Sequence, residues 1–197
     1  MARYIRTMKA RRPFHNAIVG AIVPIVLGLA PVGAQTAGGP GGMDELFARL
    51  KEADAAAAQR IERQIFTEWS KSGSPSADLL LERGRKALAA GDTRTAIDHL
   101  TALIDHAPDF AEGWNARATA YFQAGMFGPS MADIAHVLTL NPRHFGALAG
   151  LGTMLEQMDR PEPALEAYRA ALAIHPHLDG VEQAVERLEA KAAGQEL

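Results

Sequence analysis

The chain has 197 residues, 48% hydrophobic and 6% aromatic, with a formal net charge of -3 and no cysteine. That length suits one globular domain, and the missing cysteines exclude disulfides, thiolate metal ligands, a thiol nucleophile and lipidation at a cleavage point. A nucleic-acid partner is disfavoured, because phosphate binding needs a basic face.

The first 34 residues differ from the rest. Arg3, Arg6, Lys9, Arg11 and Arg12 precede an apolar run from Ala17 to Ala30, and the segment holds no acidic residue. The run covers roughly 21 Å as a helix, against a hydrocarbon core of about 30 Å, so it is short for a membrane span. Val32-Gly33-Ala34 supplies the small residues of a signal-peptidase site. The reading is a secretory signal peptide over 1-34, cleaved after Ala34, with an uncleaved anchor as the alternative. Ala10 before Arg11-Arg12 departs from a twin-arginine signal, which favours the general secretory route. Removing those five basic residues from the 20 leaves 15 against 23 acidic ones, a formal charge of -8. The expected location is the periplasm of a Gram-negative cell, with no stable membrane insertion after cleavage.

Gln35 to Gly42 is glycine-rich and reads as a flexible leader. The next segment, 43-76, is helical, and the pattern favours two helices with Asp54 as the cap between them over one long helix. Ser72-Gly73-Ser74-Pro75 is the turn that leads out of it.

Pro108, Pro142 and Pro176 then stand 34 residues apart. Taking Ala77, Ala111 and Phe145 as first positions, the fourth positions are Leu80, Trp114 and Leu148, and the eighth are Gly84, Ala118 and Gly152. The twentieth are Ala96, Ser130 and Ala164, and the twenty-fourth are Leu100, Ile134 and Tyr168. A period of this length is one helical hairpin stacked on its neighbours. Leu80, Leu81, Ala87 and Leu88 form one apolar stripe before Gly91; Asp92 caps a second helix whose stripe ends at Pro108. Gly125 with Pro129, and Asp159 with Pro163, repeat the device. The small residues at positions eight and twenty belong where paired helices approach most closely. After Pro176, Val181, Ala184, Val185 and Leu188 make the stripe of a capping helix over 179-192, with Asp179 and Glu182 as a candidate capping box and 193-197 as a tail.

This pattern resembles the tetratricopeptide repeat, with full units at 77-110, 111-144 and 145-178. The resemblance implies an all-α fold of antiparallel hairpins stacked as a short right-handed solenoid. Segment 43-72 falls in the same phase through Leu46, Leu50, Phe66 and Trp69, which suggests a fourth, degenerate unit. Arg83 and Arg117 depart from the family, which prefers Leu at the seventh position; snorkelling arginine stems are expected to cover the same apolar surface. The family lines a concave groove with its first helices, which places Arg85, Leu88, Asn115, Thr119, Phe122, Gln123, Ala149, Thr153 and Gln157 on a protein-binding face. Some members clamp a peptide carboxylate with Lys, Asn and Arg at positions five and nine; here only Arg85 and Asn115 could contribute.

The implied function is a non-catalytic adaptor for a protein or peptide, with no cofactor. A chaperone-like assembly factor for exported apoproteins and a self-associating module, such as a homodimer, are the alternatives. The groove itself could be filled by the N-terminal segment. His106, His144, His175 and His177 lie near the ends of units on one side of the array. A metal or haem site would need three or four of them to converge, so they are read as solvated helix-terminal residues favoured by the helix dipole. Gly150-Leu151-Gly152 lacks the strand and Gly-Lys-Ser/Thr ending of a phosphate loop and is read as helix packing.

Overall fold

The structure is a computed structural model that describes residues 42-195. The expected signal peptide, the cleavage expected after Ala34 and most of the glycine-rich leader lie outside the described residues. In chain order the helices are α1 (Met43–Glu52), α2 (Ala55–Trp69), α3 (Pro75–Ala89), α4 (Thr93–His106), α5 (Ala111–Gln123), α6 (Phe127–Leu140), α7 (Phe145–Gln157), α8 (Pro161–Ile174) and α9 (Val181–Gln195). No strand occurs among the described residues, and none of their helices is long and apolar enough to cross a membrane.

Three hairpins, α3-α4, α5-α6 and α7-α8, carry the period. Each first helix ends in the same way. The N-H of Asp92 reaches the carbonyl of Ala87 at 2.9 Å, that of Met126 reaches Tyr121 at 2.8 Å, and that of Arg160 reaches Leu155 at 2.9 Å. The residue before each is left-handed: Gly91 at φ 76, Gly125 at φ 72 and Asp159 at φ 54. Glycine takes that conformation without a Cβ clash, while the third unit uses an aspartate in its place. The Asp92 carboxylate then accepts from Thr95 N at 3.0 Å and starts α4.

Small residues set the closeness of each hairpin. A Cβ placed on Gly84 would stand 2.5 Å from Leu100 Cγ, and one on Gly152 would stand 2.5 Å from Tyr168 Cδ1 and Cε1. Ala96, Ala164 and Ser130 are fully buried opposite them. Ser130 keeps its hydroxyl satisfied there by donating to the Ala118 carbonyl at 2.7 Å. Gly152→Ala should therefore cost about 1–3 kcal/mol, since crowding a stiff buried ring outweighs the roughly 1 kcal/mol that alanine gains in helix propensity. An unchanged thermal midpoint would contradict the close approach.

Successive hairpins stack through α4 on α5 and α6 on α7, while α3, α5 and α7 stand side by side and form one inner face. α9 packs on α8 and covers Leu155, Ala164, Ala167 and Tyr168 with Val181, Ala184 and Leu188. It starts at Val181, after the left-handed Gly180, so Asp179 is not its capping residue; the Asp179 carboxylate instead accepts from Gln59 Nε2 at 3.4 Å.

The N-terminal segment is a hairpin, with the Asp54 carboxylate accepting from Ala57 N at 2.7 Å. It does not stack ahead of α3 as another unit would. Its buried core of Leu46, Phe47, Leu50, Ala58, Ile61 and Ile65 continues into Phe145 of α7, with Ile174 and Leu178 packed alongside. The reason is steric. The positions that must be small for a repeat to close, eight and twenty, hold Leu50 and Glu62 here, and the pair docks sideways onto the third unit.

Arg117 also departs from expectation. Its side chain is only 14% exposed and does not snorkel. Nε and Nη2 donate to the two Asp133 oxygens at 2.8 and 2.9 Å, Nη1 donates to Thr101 at 3.2 Å, and the guanidinium lies over Trp114 and Tyr121. The Asp133 hydrogen bonds hold its pKa above the usual arginine value, against the opposing effect of burial.

Candidate protein-binding groove

The inner face is built from α3, α5 and α7, and the nine residues placed on it by sequence divide into three groups. Leu88 is half-buried against the α3-α4 core, and Ala149 packs beside the Tyr168 cluster. Phe122 lies half-buried against Phe127, with ring centroids 5.8 Å apart. These three support the groove floor more than they project from it. Thr119 and Thr153 satisfy their hydroxyls on their own helices, donating to the carbonyls of Asn115 at 3.0 Å and Ala149 at 3.1 Å. Thr153 also accepts from the Tyr168 hydroxyl at 3.2 Å; burial pushes that phenol's pKa up, partly opposed by this bond. Gln123 and Gln157 are exposed, so their amides are presented to whatever enters.

Arg85 and Asn115 belong to a polar cluster centred on the buried Glu112. The Arg85 guanidinium pairs with Glu112 and donates to Ser70 Oγ at 3.0 Å. Glu112 is only 4% exposed. It also accepts from Asn115 Nδ2 at 3.4 Å and faces His144 Nε2 at 3.1 Å. The ring's other nitrogen, Nδ1, accepts the Ala147 N-H at 3.1 Å and so caps α7. Acceptance at Nδ1 places the proton on Nε2, which donates to Glu112. Trp69 of α2 closes the cluster, stacked on the His144 ring at 4.3 Å and 21°.

The expectation of solvated histidines is thus corrected at two positions. His144 and His175 are 1% and 0% exposed. His144 stands at the N-terminus of α7, and its role there is that of a hydrogen-bonded cap. His175 Nε2 faces Glu62 of α2 at 3.3 Å. Both became buried because α1-α2 lies over them. His106 remains exposed. Among the described residues no three His, Asp or Glu side chains converge in a geometry that could hold a metal ion.

Glu112 falls among the family's groove positions as the second residue of its unit, whereas His144, Ser70 and Trp69 were not placed on the binding face by sequence. One signal was available for His144: residues one period apart are neighbours on adjacent helices, and Glu112 lies one period before Gly146, two residues past His144. Beside the cluster, Ser70, Asp78, Leu81, Glu82, Arg85 and Lys86 line an open hollow of about 570 Å³.

No protein-family model matches the chain. A TPR repeat-containing protein of Rhizobium etli is 39% identical over 153 residues, covering 77% of this chain and 75% of that one. The chain belongs to the tetratricopeptide repeat family. Among solved structures, the first tetratricopeptide domain of Spaghetti (RPAP3), bound to an HSP90 peptide SRMEEVD, superimposes with a TM-score of 0.58 at 25% identity, covering 61% of this chain and 95% of that one. MamA shares the fold over 77% of this chain and 85% of its own, with a TM-score of 0.56 at 20% identity. This tetratricopeptide protein carries a sideways N-terminal hairpin and an ion-paired arginine on its inner face.

Proposed function

We propose that the chain is an exported, non-catalytic adaptor that binds a protein segment of low charge in its groove. The observation that carries the reading is the pairing of Arg85 with Glu112, which commits the one cation at a clamp position to an internal partner. Of the nine residues that sequence placed on this face, those still presented are uncharged: Thr119, Gln123 and Gln157, with Phe122 and Ala149 beneath. Amides and hydroxyls of this kind bond an extended backbone or a polar helix face, and a half-buried aromatic gives it an apolar floor. The Spaghetti domain is bound to an acidic peptide; a free carboxylate terminus finds no unpaired partner at Arg85 here.

The test uses the full chain and a Thr119→Arg, Gln123→Arg variant, both positions being exposed and bonded to nothing beyond their own helix. Capture from an exported-fraction extract should retain a partner on the parent and lose it on the variant at an unchanged melting temperature. A short acidic C-terminal peptide such as SRMEEVD should bind weakly, and tight binding of it would sink the low-charge reading. Export itself is tested by N-terminal sequencing of the chain recovered from that fraction, with Gln35 expected first.

A further inference from the structure

At the N-terminal end of α7 the array meets one face of α2. Along α2, Glu62, Phe66 and Trp69 are spaced by four and three residues, so they share one helical face. Each meets a separate feature of the array. The Glu62 carboxylate faces His175 Nε2 at 3.3 Å. The Phe66 ring meets Phe145 edge-on, centroids 5.4 Å apart, with its tip 3.7 Å from where a Gly146 Cβ would stand. Trp69 lies flat on His144.

The surface is organised without α2. His144 is held at both nitrogens by the array, through the Ala147 N-H and Glu112. Gly146 leaves the space that Phe66 enters. Contacts at i, i+4 and i+7 are how a groove reads a helix. The resident helix also leaves one demand unmet: His175 Nδ1 is buried with no hydrogen-bond partner, a deficit that a better-matched ligand would relieve.

The attachment of α1-α2 is suited to exchange. The hairpin packs chiefly α1 on α2 and meets the array through Phe145, Ile174 and Leu178. Its rim pairs, Asp44 with Arg143 and Gln59 with Asp179, are exposed and contribute little. Its link to α3 is a short turn through the left-handed Gly73.

We propose that His144, Phe145, Gly146 and His175 form a helix-reading site, that α2 is its resident ligand in cis, and that the partner it fits is an amphipathic helix presenting an acidic residue, a phenylalanine and a tryptophan at i, i+4 and i+7. This site adjoins the inner face through the His144–Glu112 contact, but it does not include Thr119 or Gln123. The Thr119→Arg, Gln123→Arg variant leaves it untouched, so the two can fail independently.

The probe is a fluorescent peptide of residues 54-72, titrated against three full-length chains: the wild type, Phe66→Ala/Trp69→Ala, and that double variant with Gly146→Leu added. The tethered resident acts at an effective concentration on the order of millimolar, so the peptide should bind the double variant about tenfold or more tightly than the wild type. Filling the Phe66 pocket with leucine should abolish the gain. A Trp69→Ala single variant runs in parallel and carries the same comparison if the double variant loses helicity. Equal binding to all chains, binding that survives Gly146→Leu, or no binding to a folded variant would each overturn the proposal.

Discussion

Asp133→Ala should lower the stability of the array by about 3 kcal/mol, because it leaves the Arg117 guanidinium buried without its counter-charge. Asp133 and Arg117 side chains are 6% and 14% exposed, and the fork between them is bidentate. Removing the carboxylate deletes two charge-assisted bonds and leaves a cation sandwiched between Trp114 and Tyr121, where water has little access. For a domain of this size each kcal/mol shifts the melting midpoint by roughly 2–4 °C, so a fall of about 10 °C is expected by circular dichroism. Replacing both partners, as Arg117→Met with Asp133→Leu, should recover most of that loss, since the apolar pair has no desolvated charge to satisfy. A single variant that melts within about a degree of the parent would mean that the fork contributes no more than a surface pair.

Phe145→Ala carries the second large effect, and its location matters more than its size. Phe145 is fully buried, and its ring stands 5.4 Å from Phe66, 5.2 Å from Trp69 and 5.0 Å from His175. Deleting a ring in such a site costs about 3–5 kcal/mol. The lost contacts here lie chiefly between α1-α2 and the third unit, so the penalty should fall on docking. Hydrogen exchange is expected to speed up across α1 and α2 while α3 to α6 keep their protection, as a separately opening unit would show. Uniform acceleration over all helices would mean that hairpin and array unfold together.

Three units of the fold were legible because the repeat imposes the same physical demand at the same position: Gly84, Ala118 and Gly152 are small wherever two helices touch, and Pro108, Pro142 and Pro176 fall where each second helix stops. The N-terminal hairpin obeyed the phase at Leu46, Phe66 and Trp69 yet broke the demand at Leu50 and Glu62. Phase alone could not reveal that; the sizes at positions eight and twenty could. The candidate groove was legible as a face but not as a chemistry. Arg85 reads as a free cation in sequence, and its pairing with Glu112 depends on two helices meeting 27 residues apart. Burial of His144 and His175 depends on a hairpin more than 70 residues upstream in the chain, a contact that no local pattern encodes.

The tight packing inside each hairpin has a consequence for how this chain can change over time. Position eight and position twenty-four share one volume: glycine faces leucine in the first unit and tyrosine in the third, while alanine and isoleucine occupy the same core cluster in the second. Neither site can drift alone without opening a void or forcing a clash. Substitutions there should be inherited as matched pairs within a unit, and a unit transplanted whole should be tolerated where either half of its pair would not be.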